Sequence, residues 1–158
     1  MPGGGKSKEF DYSKTMRTKE LKNIEYISSA EGIEHTQLSG FFVDWPNPPS
    51  EQRHLDILQA SHGVELAIDT ETNQVVGFIT VISDGILSAF IPLLEVLPEY
   101  QGNGIGKQLL ERILTRYENL YILDVCCDED IVEFYIARGF LKTAGLVKRN
   151  YEHQSGPS

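Results

Sequence analysis

The sequence has few cysteines and few basic residues, and it lacks a long apolar run. Its two cysteines, Cys126 and Cys127, are adjacent, which provides neither a disulfide framework nor metal-ligand spacing. Lys and Arg number 14 against 23 Asp and Glu, giving a formal charge of −9, so a basic face for nucleic acid is not expected. No apolar run approaches the roughly 20 residues of a membrane span. We therefore predict a cytoplasmic protein that binds neither nucleic acid nor membrane.

The length of 158 residues suits one domain with a single core. Residues 1–22 are rich in Gly, Lys, Ser and Glu without sustained periodicity, and they are interpreted as a flexible N-terminal tail. Residues 23–152 are assigned to the domain, and residues 153–158 to a C-terminal tail.

Local signals predict alternating strands and helices along the domain. A capping box formed by Ser28 and Glu31 predicts a helix that continues through Phe42, and the prolines of residues 45–49 require a loop. Ser50 is positioned to cap the next helix. Alternation and turn signals predict strands at residues 24–27, 64–68, 75–82, 89–97, 121–126 and 145–151, a helix at 105–117, and a short helix opened by Asp128 or Asp130 and ended by Gly139.

The most informative stretch is a glycine-rich turn, residues 101–107, between an apolar strand and an amphipathic helix. The first amides of a helix have no intrahelical acceptor, and the helix dipole makes that end positive. Three glycines, Gly102, Gly104 and Gly106, remove the side chains that would keep a diphosphate from the backbone. The stretch therefore predicts a phosphate or pyrophosphate cradle.

Spacing separates the possible cradles. A P-loop requires Gly-x4-Gly-Lys-Ser/Thr, and here Gln101 and Gln108 occupy its two ends, so a nucleoside triphosphate is not expected. A dinucleotide fingerprint requires G-x-G-x-x-G, which the turn lacks, although Asp124 stands near the position of a ribose-binding acid. Gln101-x-x-Gly104-x-Gly106 after a hydrophobic strand resembles the acyl-CoA pyrophosphate loop of the GCN5-related N-acetyltransferase family.

A second motif agrees with that resemblance: residues 134–140, Phe-Tyr-Ile-Ala-Arg-Gly-Phe, resemble the family's Phe-Tyr-x-x-x-Gly-Phe signature. The resemblance implies a single α/β domain with a mixed, mostly antiparallel sheet, splayed between its fourth and fifth strands, and helices on both faces. It also implies an acetyl-CoA-dependent N-acetyltransferase that acts on a primary amine of a small molecule or peptide, by direct attack in a ternary complex.

The same resemblance implies which residues hold acetyl-CoA. The backbone of Leu94 and Val96 would pair with the pantetheine arm, and a bulge or splay near Pro92 is expected to free it. Asp128 stands where the family often has an asparagine that contacts the arm, although it is also placed to cap a helix. The pyrophosphate would lie on the backbone of Gln101, Gly102, Asn103, Gly104, Ile105, Gly106 and Lys107.

Two residues are candidates for proton transfer. Tyr135 of the second motif would donate to the departing thiolate, unless it only completes the apolar face of its helix. Glu95, the only charged residue of the strand, is flanked by Leu94 and Val96, and desolvation there would raise its pKa toward that of a base. An ordered water is the alternative base, and a carboxylate that only reaches solvent is the alternative role for Glu95.

The acceptor is not specified by any motif, and a homodimer through exposed strand edges is possible. By resemblance, Phe42, Trp45 and His54 are candidates for acceptor contact, with Trp45 equally suited to pin the proline loop to the core. Two other functions stay open: a non-catalytic acyl-CoA sensor or interaction module, and a dinucleotide-binding oxidoreductase.

Overall fold

The computed structural model of the protein describes residues 23–157, so the predicted N-terminal tail and Ser158 lie outside the described residues. Its sheet has the order β1-β2-β3-β4-β5, antiparallel throughout except for the parallel pair β4–β5. The predicted mixed α/β fold is confirmed. The strands are Ile24–Ile27 (β1), Gly63–Asp69 (β2), Gln74–Ser83 (β3), Ser88–Val96 (β4) and Ile122–Val125 (β5), and the α-helices of this part of the chain are Glu51–Ala60 (α1), Ile105–Arg116 (α2) and Val132–Ile136 (α3).

Helices pack on both faces of the sheet, as two neighbouring residues of β3 demonstrate. Successive strand residues point to opposite faces. A Cβ atom at Gly77 would lie only 3.0 Å from a methyl group of Ile105 and 3.1 Å from one of Leu109, so the absent side chain lets α2 approach closely. The ring of Phe78 lies on the other face, with its centroid 4.4 Å from that of His54 in α1.

Strand β4 is paired differently along its two halves. Residues Ser88 to Ile91 pair with β5, whereas the register with β5 ends there and residues 92–96 continue alongside β3 alone. At the transition Val81 of β3 lies opposite both Ile91 and Pro92, which is a β-bulge. The predicted bulge and the splay between β4 and β5 are confirmed. Because β5 covers only half of β4, residues 92–96 are half-buried.

Several local predictions are confirmed. The hairpin β2–β3 turns through residues 70–73, and β1 spans the four residues expected. Ser50 caps α1, with its Oγ accepting a hydrogen bond from the Arg53 amide at 3.1 Å. Gly139 ends the last helix with φ of 90°, and the Phe140 amide donates back to the Tyr135 carbonyl at 3.3 Å.

The predicted helix from Ser28 to Phe42 is wrong. The segment contains only a short 3₁₀ turn, His35–Leu38. Gly32 and Gly40 have φ values of 79° and 87°, which no right-handed helix accommodates. Ser28 does not cap a helix, and its hydroxyl donates to Glu65 Oε2 at 2.9 Å.

Two predictions near the C-terminus are wrong, the strand at 145–151 and the capping hydrogen bond of Asp128, whereas the prediction that Asp128 opens a short helix is confirmed. Residues 141–150 form no regular element in place of the predicted strand at 145–151, and a 3₁₀ turn, Tyr151–His153, follows. Asp128 stands at the start of the 3₁₀ turn Glu129–Ile131 but its side chain makes no capping hydrogen bond. Residues assigned to the C-terminal tail contact the domain, since Asn47 N donates to Gln154 Oε1 and Arg53 Nη2 to the Pro157 carbonyl.

Candidate active site

The turn between β4 and α2 is fixed to the sheet on its protein side. Tyr100, in the 3₁₀ turn Pro98–Tyr100 ahead of the turn, is buried and donates its hydroxyl to Asp69 Oδ2 at 2.6 Å. This hydrogen bond is the main reason that the pKa of Tyr100 is raised to about 12. The Asn103 side-chain amide donates to the carbonyls of Tyr100 and Gln101 at 3.1 and 2.9 Å. The carbonyls of the turn are therefore partly satisfied by its own residues.

The amides of the same turn are not satisfied. Gly102 and Gly104 adopt φ of 75° and 80°, a left-handed conformation that turns the chain into α2. The first helical hydrogen bond runs from Gln108 N to the Gly104 carbonyl at 3.0 Å. Within residues 23–157, the backbone amides of Gly102 to Lys107 donate to no protein acceptor. The turn thus presents six consecutive amide donors at the positive end of a helix.

The space around these amides is open. A Cβ atom placed on Gly102 or Gly104 would meet no atom within 4 Å. Gly106 lies against the end of β4, where a Cβ atom would be 3.6 Å from a methyl group of Val96. The Gln101 side chain reaches the same strand and donates to the Val96 carbonyl at 2.9 Å. The structure therefore brings the turn and the uncovered half of β4 together, with room for an anion beside them.

The backbone of that half of β4 has groups free to pair with a ligand. Leu97 N donates to the Val76 carbonyl of β3 at 2.9 Å, and hydrogen-bonded pairs alternate along an antiparallel ladder. Glu95 therefore directs its backbone groups toward β3, whereas Leu94 and Val96 direct theirs away from it. Among these outward groups the Val96 carbonyl already accepts from the Gln101 side chain, which leaves the Val96 amide and both backbone groups of Leu94 for a ligand. On that side residues 92–96 have no β5 partner. An extended ligand could add to β4 there as a short strand does.

Tyr135 lies in α3, across the splay from β4. It is 5% exposed, and its ring makes edge contacts with Phe134 and Phe140 at 5.1 and 5.4 Å between centroids. Its hydroxyl makes no hydrogen bond within the described part of the chain, and the residue lines a cavity of about 520 Å³. Burial, with a smaller contribution from Cys127, raises the pKa of Tyr135 to about 12. The phenol therefore keeps its proton at neutral pH and can donate it in a hydrogen bond.

The residues before α3 border the same cavity. Cys126 and Cys127 follow the end of β5 and both are free thiols. Burial raises the pKa of the Cys127 thiol, and the charge of Asp128 adds to that shift, so the thiol is a poor nucleophile at neutral pH. Asp128 itself is exposed.

Glu95 points to the α1 face of the sheet. Its Oε2 accepts a hydrogen bond from the Phe42 amide at 2.9 Å, and its Oε1 accepts one from the Val43 amide at 3.2 Å. Sequence reasoning missed this contact, because residues 42 and 43 are 53 and 52 positions away and belong to the segment predicted as a helix. The positive φ of Phe42, 60°, is the structural sign of this arrangement, and the sequence gives no signal of it.

The three candidates for acceptor contact differ in exposure. His54 and Phe42 are 1% and 4% exposed and pack against each other at 4.8 Å between ring centroids, so neither presents surface to an acceptor. Burial lowers the pKa of His54 to about 4, and neither of its ring nitrogens has a hydrogen-bond partner in the part of the chain that the structure describes. Trp45 is 37% exposed and stacks edge-on to Phe42 at 5.1 Å. Of the three, only Trp45 can meet a ligand from solvent.

The structure therefore groups the predicted site residues into three parts. The turn of residues 101–107 joins Leu94 and Val96 at the uncovered half of β4. Glu95 directs its side chain to the opposite face of the sheet, where it accepts hydrogen bonds from the Phe42 and Val43 amides. Tyr135 and Asp128 lie beyond the splay, and no hydrogen bond or ring contact links Tyr135 to residues 101–107 within the described residues.

No helix in residues 23–157 is long and apolar enough to cross a membrane.

Comparison with known proteins gives consistent matches. Residues 47–151 match the acetyltransferase (GNAT) domain family. A crystal structure from Deinococcus radiodurans R1, assigned as an acetyltransferase, superposes with a TM-score of 0.84 at 39% identity, covering 87% of this chain and 96% of that one. A GNAT family acetyltransferase from Streptococcus pneumoniae TIGR4 has a TM-score of 0.65 at 29% identity, over 80% and 98% of the two chains. The uncharacterized N-acetyltransferase ycf52 of Porphyra purpurea is 26% identical over 146 residues, 89% of this chain and 83% of its own.

Proposed function

Since the chain belongs to the GNAT family of N-acetyltransferases, we propose that it transfers the acetyl group of acetyl-CoA to a primary amine by direct attack in a ternary complex. The observation that carries the proposal is the row of unsatisfied amides from Gly102 to Lys107, next to a half-strand with free backbone groups. A diphosphate and an extended amide-containing arm are the two chemical features that these groups match. Acetyl-CoA carries both, together with the thioester.

The residues available for binding follow from that match. The pyrophosphate would be held by the amides of residues 102–107 at the start of α2, where the helix dipole favours negative charge. The pantetheine arm would pair with the outward backbone groups of Leu94 and with the amide of Val96, because the Val96 carbonyl already accepts from the Gln101 side chain. Asp128 is a weaker candidate, because an exposed carboxylate offers no attraction to an anionic ligand.

Transfer then needs an unprotonated amine and a stabilised thiolate. The amine nitrogen attacks the thioester carbonyl, the C–S bond breaks, and the sulfur leaves as thiolate. A backbone amide near Leu94 would polarise the carbonyl, a role that such sites commonly give to backbone donors. We propose that the amine proton passes to ordered water instead of Glu95, because both oxygens of that carboxylate already hold the amides of Phe42 and Val43.

Tyr135 is the proposed donor to the thiolate. Its hydroxyl has no hydrogen-bond partner among the described residues and stays protonated, because its pKa is raised to about 12, and the residue lines a cavity. A thiol has a pKa of about 8.5, so complete transfer of the phenol proton to the thiolate is uphill. Stabilisation by a donated hydrogen bond is therefore the main contribution expected of Tyr135, with solvent completing the protonation.

The decisive experiment follows thiol release. The protein is mixed with acetyl-CoA and a panel of amines of different classes: spermidine, lysine, kanamycin, aniline and a peptide with a free amino terminus. Thiol release that depends on the amine, with an acetylated product of the expected mass, supports the proposal. Tight binding of acetyl-CoA without thiol release across the panel would instead support an acyl-CoA sensor or interaction module. A thermal shift with NAD but none with CoA would support the oxidoreductase.

We also propose that the protein is cytoplasmic. Two free cysteines, one of them exposed, fit a reducing compartment such as the cytoplasm. The reduced state of both thiols in protein recovered from cells under alkylating conditions is the measurement that checks it.

A further inference from the structure

The turn formed by residues 42–45 is held in an unfavourable backbone conformation. The Trp45 amide donates to the Phe42 carbonyl at 3.2 Å and closes the turn. Phe42 and Asp44 have φ of 60° and 64°, in the left-handed region that glycine prefers. Neither residue is a glycine, so interactions outside the turn must maintain this geometry.

Two interactions do so. The Phe42 ring is buried among His54, Trp45 and Phe78, with centroids 4.8, 5.1 and 6.1 Å away. The backbone is held by Glu95, whose two oxygens accept from the Phe42 and Val43 amides. A carboxylate accepts stronger hydrogen bonds from backbone amides than a neutral acceptor does. The buried ring of Phe42 anchors the start of the turn, and the Glu95 carboxylate holds the backbone amides of Phe42 and Val43.

The position of Glu95 gives this contact a consequence for the reaction. Glu95 lies between Leu94 and Val96, in the half of β4 that β5 does not cover. The turn that it holds therefore borders the place where the thioester would end. Val43 and Trp45 of the turn are 44% and 37% exposed, so they present surface that an incoming amine can meet.

We infer that Glu95 is a positioning residue, which holds the turn of residues 42–45 as a wall of the acceptor pocket and does not take the amine proton. The inference deepens the proposed function and rests on it. Its direct consequence is that Glu95 controls the affinity for the acceptor, whereas a base would control the chemical step.

The turn can be observed without any substrate, because Trp45 is the only tryptophan of the chain. In Glu95→Ala the two amides lose their acceptor, so the Trp45 emission is expected to shift to longer wavelength and acrylamide quenching to increase. Glu95→Gln keeps one carbonyl oxygen and should give an intermediate change. It also serves as the second variant if Glu95→Ala folds poorly, with far-UV circular dichroism as the check on folding.

A second-site variant separates the two roles. Glycine adopts the φ of Asp44 without strain, so Asp44→Gly should let the turn persist without Glu95. Asp44→Ala removes the same carboxylate but leaves the strain, and it is the matched control. In the Glu95→Ala background, Asp44→Gly should return the Trp45 emission toward that of the wild type, and Asp44→Ala should not.

Kinetics with an amine of the panel that supports thiol release provide the second readout. For Glu95→Ala we expect the amine KM to rise about tenfold, as for the loss of hydrogen bonds to a charged group, and kcat to fall less than about threefold. Asp44→Gly should bring KM back to within about threefold of the wild type. The pH profile of kcat should keep its shape, and acetyl-CoA affinity should stay unchanged.

The opposite result identifies a base. A fall in kcat of about a hundredfold or more with an unchanged KM, no shift of Trp45 and no rescue by Asp44→Gly would overturn the inference. If no amine of the panel is acetylated, the proposed function fails, and the fluorescence result decides the role of Glu95 independently. An unchanged Trp45 signal in Glu95→Ala would then overturn the positioning role.

Discussion

The two ends of α2 use their polar groups in opposite ways. At its last turns, Arg112 Nε binds Glu65 Oε2 at 2.6 Å and Arg116 Nη1 lies 3.6 Å from the other oxygen, while the Tyr117 hydroxyl after the helix meets His62 Nδ1 at 2.9 Å. At its first turn, the amides of residues 102–107 have no protein acceptor within the described chain. One end is closed by internal contacts, and the other is open.

The difference separates stability from binding in a single element. Contacts at the closed end tie α2 to β2, which pairs with β3 in the middle of the sheet. The open end lies beside the half of β4 that β5 does not cover, so its donors are available to a ligand. Functional sites commonly leave such local requirements unmet while the rest of the fold satisfies them. Substitutions at the two ends should therefore affect different measurements.

The largest effect is expected from a pair of buried tyrosines. Tyr135 and Tyr117 are 5% and 7% exposed, but within residues 23–157 only the second of these hydroxyls, that of Tyr117, has a hydrogen-bond partner. Tyr135→Phe should lower kcat about a hundredfold, because the thiolate loses its donor, and leave acetyl-CoA affinity nearly unchanged. Tyr117→Phe should cost about 1 kcal/mol of unfolding free energy and leave kcat unchanged. Loss of acetyl-CoA binding in Tyr135→Phe would remove Tyr135 from the donor role.

The next effect tests the open end directly. A Cβ atom at Gly104 would meet no atom of the described residues within 4 Å, so Gly104→Val should act through backbone strain and through obstruction of the anion. We expect CoA affinity, measured by calorimetry, to fall about thirtyfold, equivalent to about 2 kcal/mol. Gly32→Val is the matched control, because Gly32 has nearly the same φ and equally open surroundings but lies outside the site. Equal CoA affinities in the two variants would contradict the cradle.

The sequence predicts the turn at the open end of α2 better than it predicts the acceptor side, residues 42–45. The turn of residues 101–107 follows from local rules, since glycine spacing and helix polarity act over a few residues. The bulge at Pro92 was also predictable, because a proline removes a ladder hydrogen bond. The contact of Glu95 with residues 42 and 43 depends on a tertiary approach and on positive φ values at non-glycine residues, for which the sequence has no local signal.

The helix predicted at residues 28–42 and the strand predicted at 145–151 do not form, for similar physical reasons. The Ser28–Glu31 pair satisfies the capping pattern, but Ser28 binds Glu65 and the glycines at 32 and 40 take left-handed conformations. The apolar residues of the segment at 145–151 match a strand pattern, yet Leu146 is fully exposed and the segment pairs with no strand of the described residues. Local sequence patterns predict which helix or strand a segment can form, and tertiary contacts decide whether that element forms.

His54 lies in α1 and contributes to neither end of α2. Its pKa is lowered to about 4 by burial, below the value of about 6.5 in an unfolded chain. The folded state therefore favours the neutral ring, and stability that is complete above about pH 6.5 is lost as the pH falls toward 4. By pH 5 the loss should reach about 2 kcal/mol in urea unfolding.

His54→Leu tests this by removing the titrating ring. Its two nitrogens have no partners, so an apolar replacement should leave stability at pH 7 unchanged or increase it. The loss between pH 7 and pH 5 should shrink, whereas the exposed His35→Leu should keep the slope of the wild type. An unchanged slope in His54→Leu would show that other groups cause the acid sensitivity.

The smallest effect belongs to the closed end. Glu65 is 3% exposed in its side chain, whereas Arg112 and Arg116 are 35% and 40% exposed and remain hydrated when the carboxylate is neutralised. Glu65→Gln should therefore cost only about 1–2 kcal/mol of unfolding free energy, less than a fully buried pair. Glu111→Gln, which removes an exposed pair with Lys107 on the same helix, should cost at most about 0.5 kcal/mol.

The two ends of α2 should also be independent of each other. CoA affinity should be unchanged in Glu65→Gln. In a combined Glu65→Gln and Gly104→Val variant, the losses of unfolding free energy from the two substitutions should add, since the two sites share no partner. A loss of CoA affinity in Glu65→Gln alone would mean that the closed end also shapes the cradle, and that the two ends of α2 are not independent.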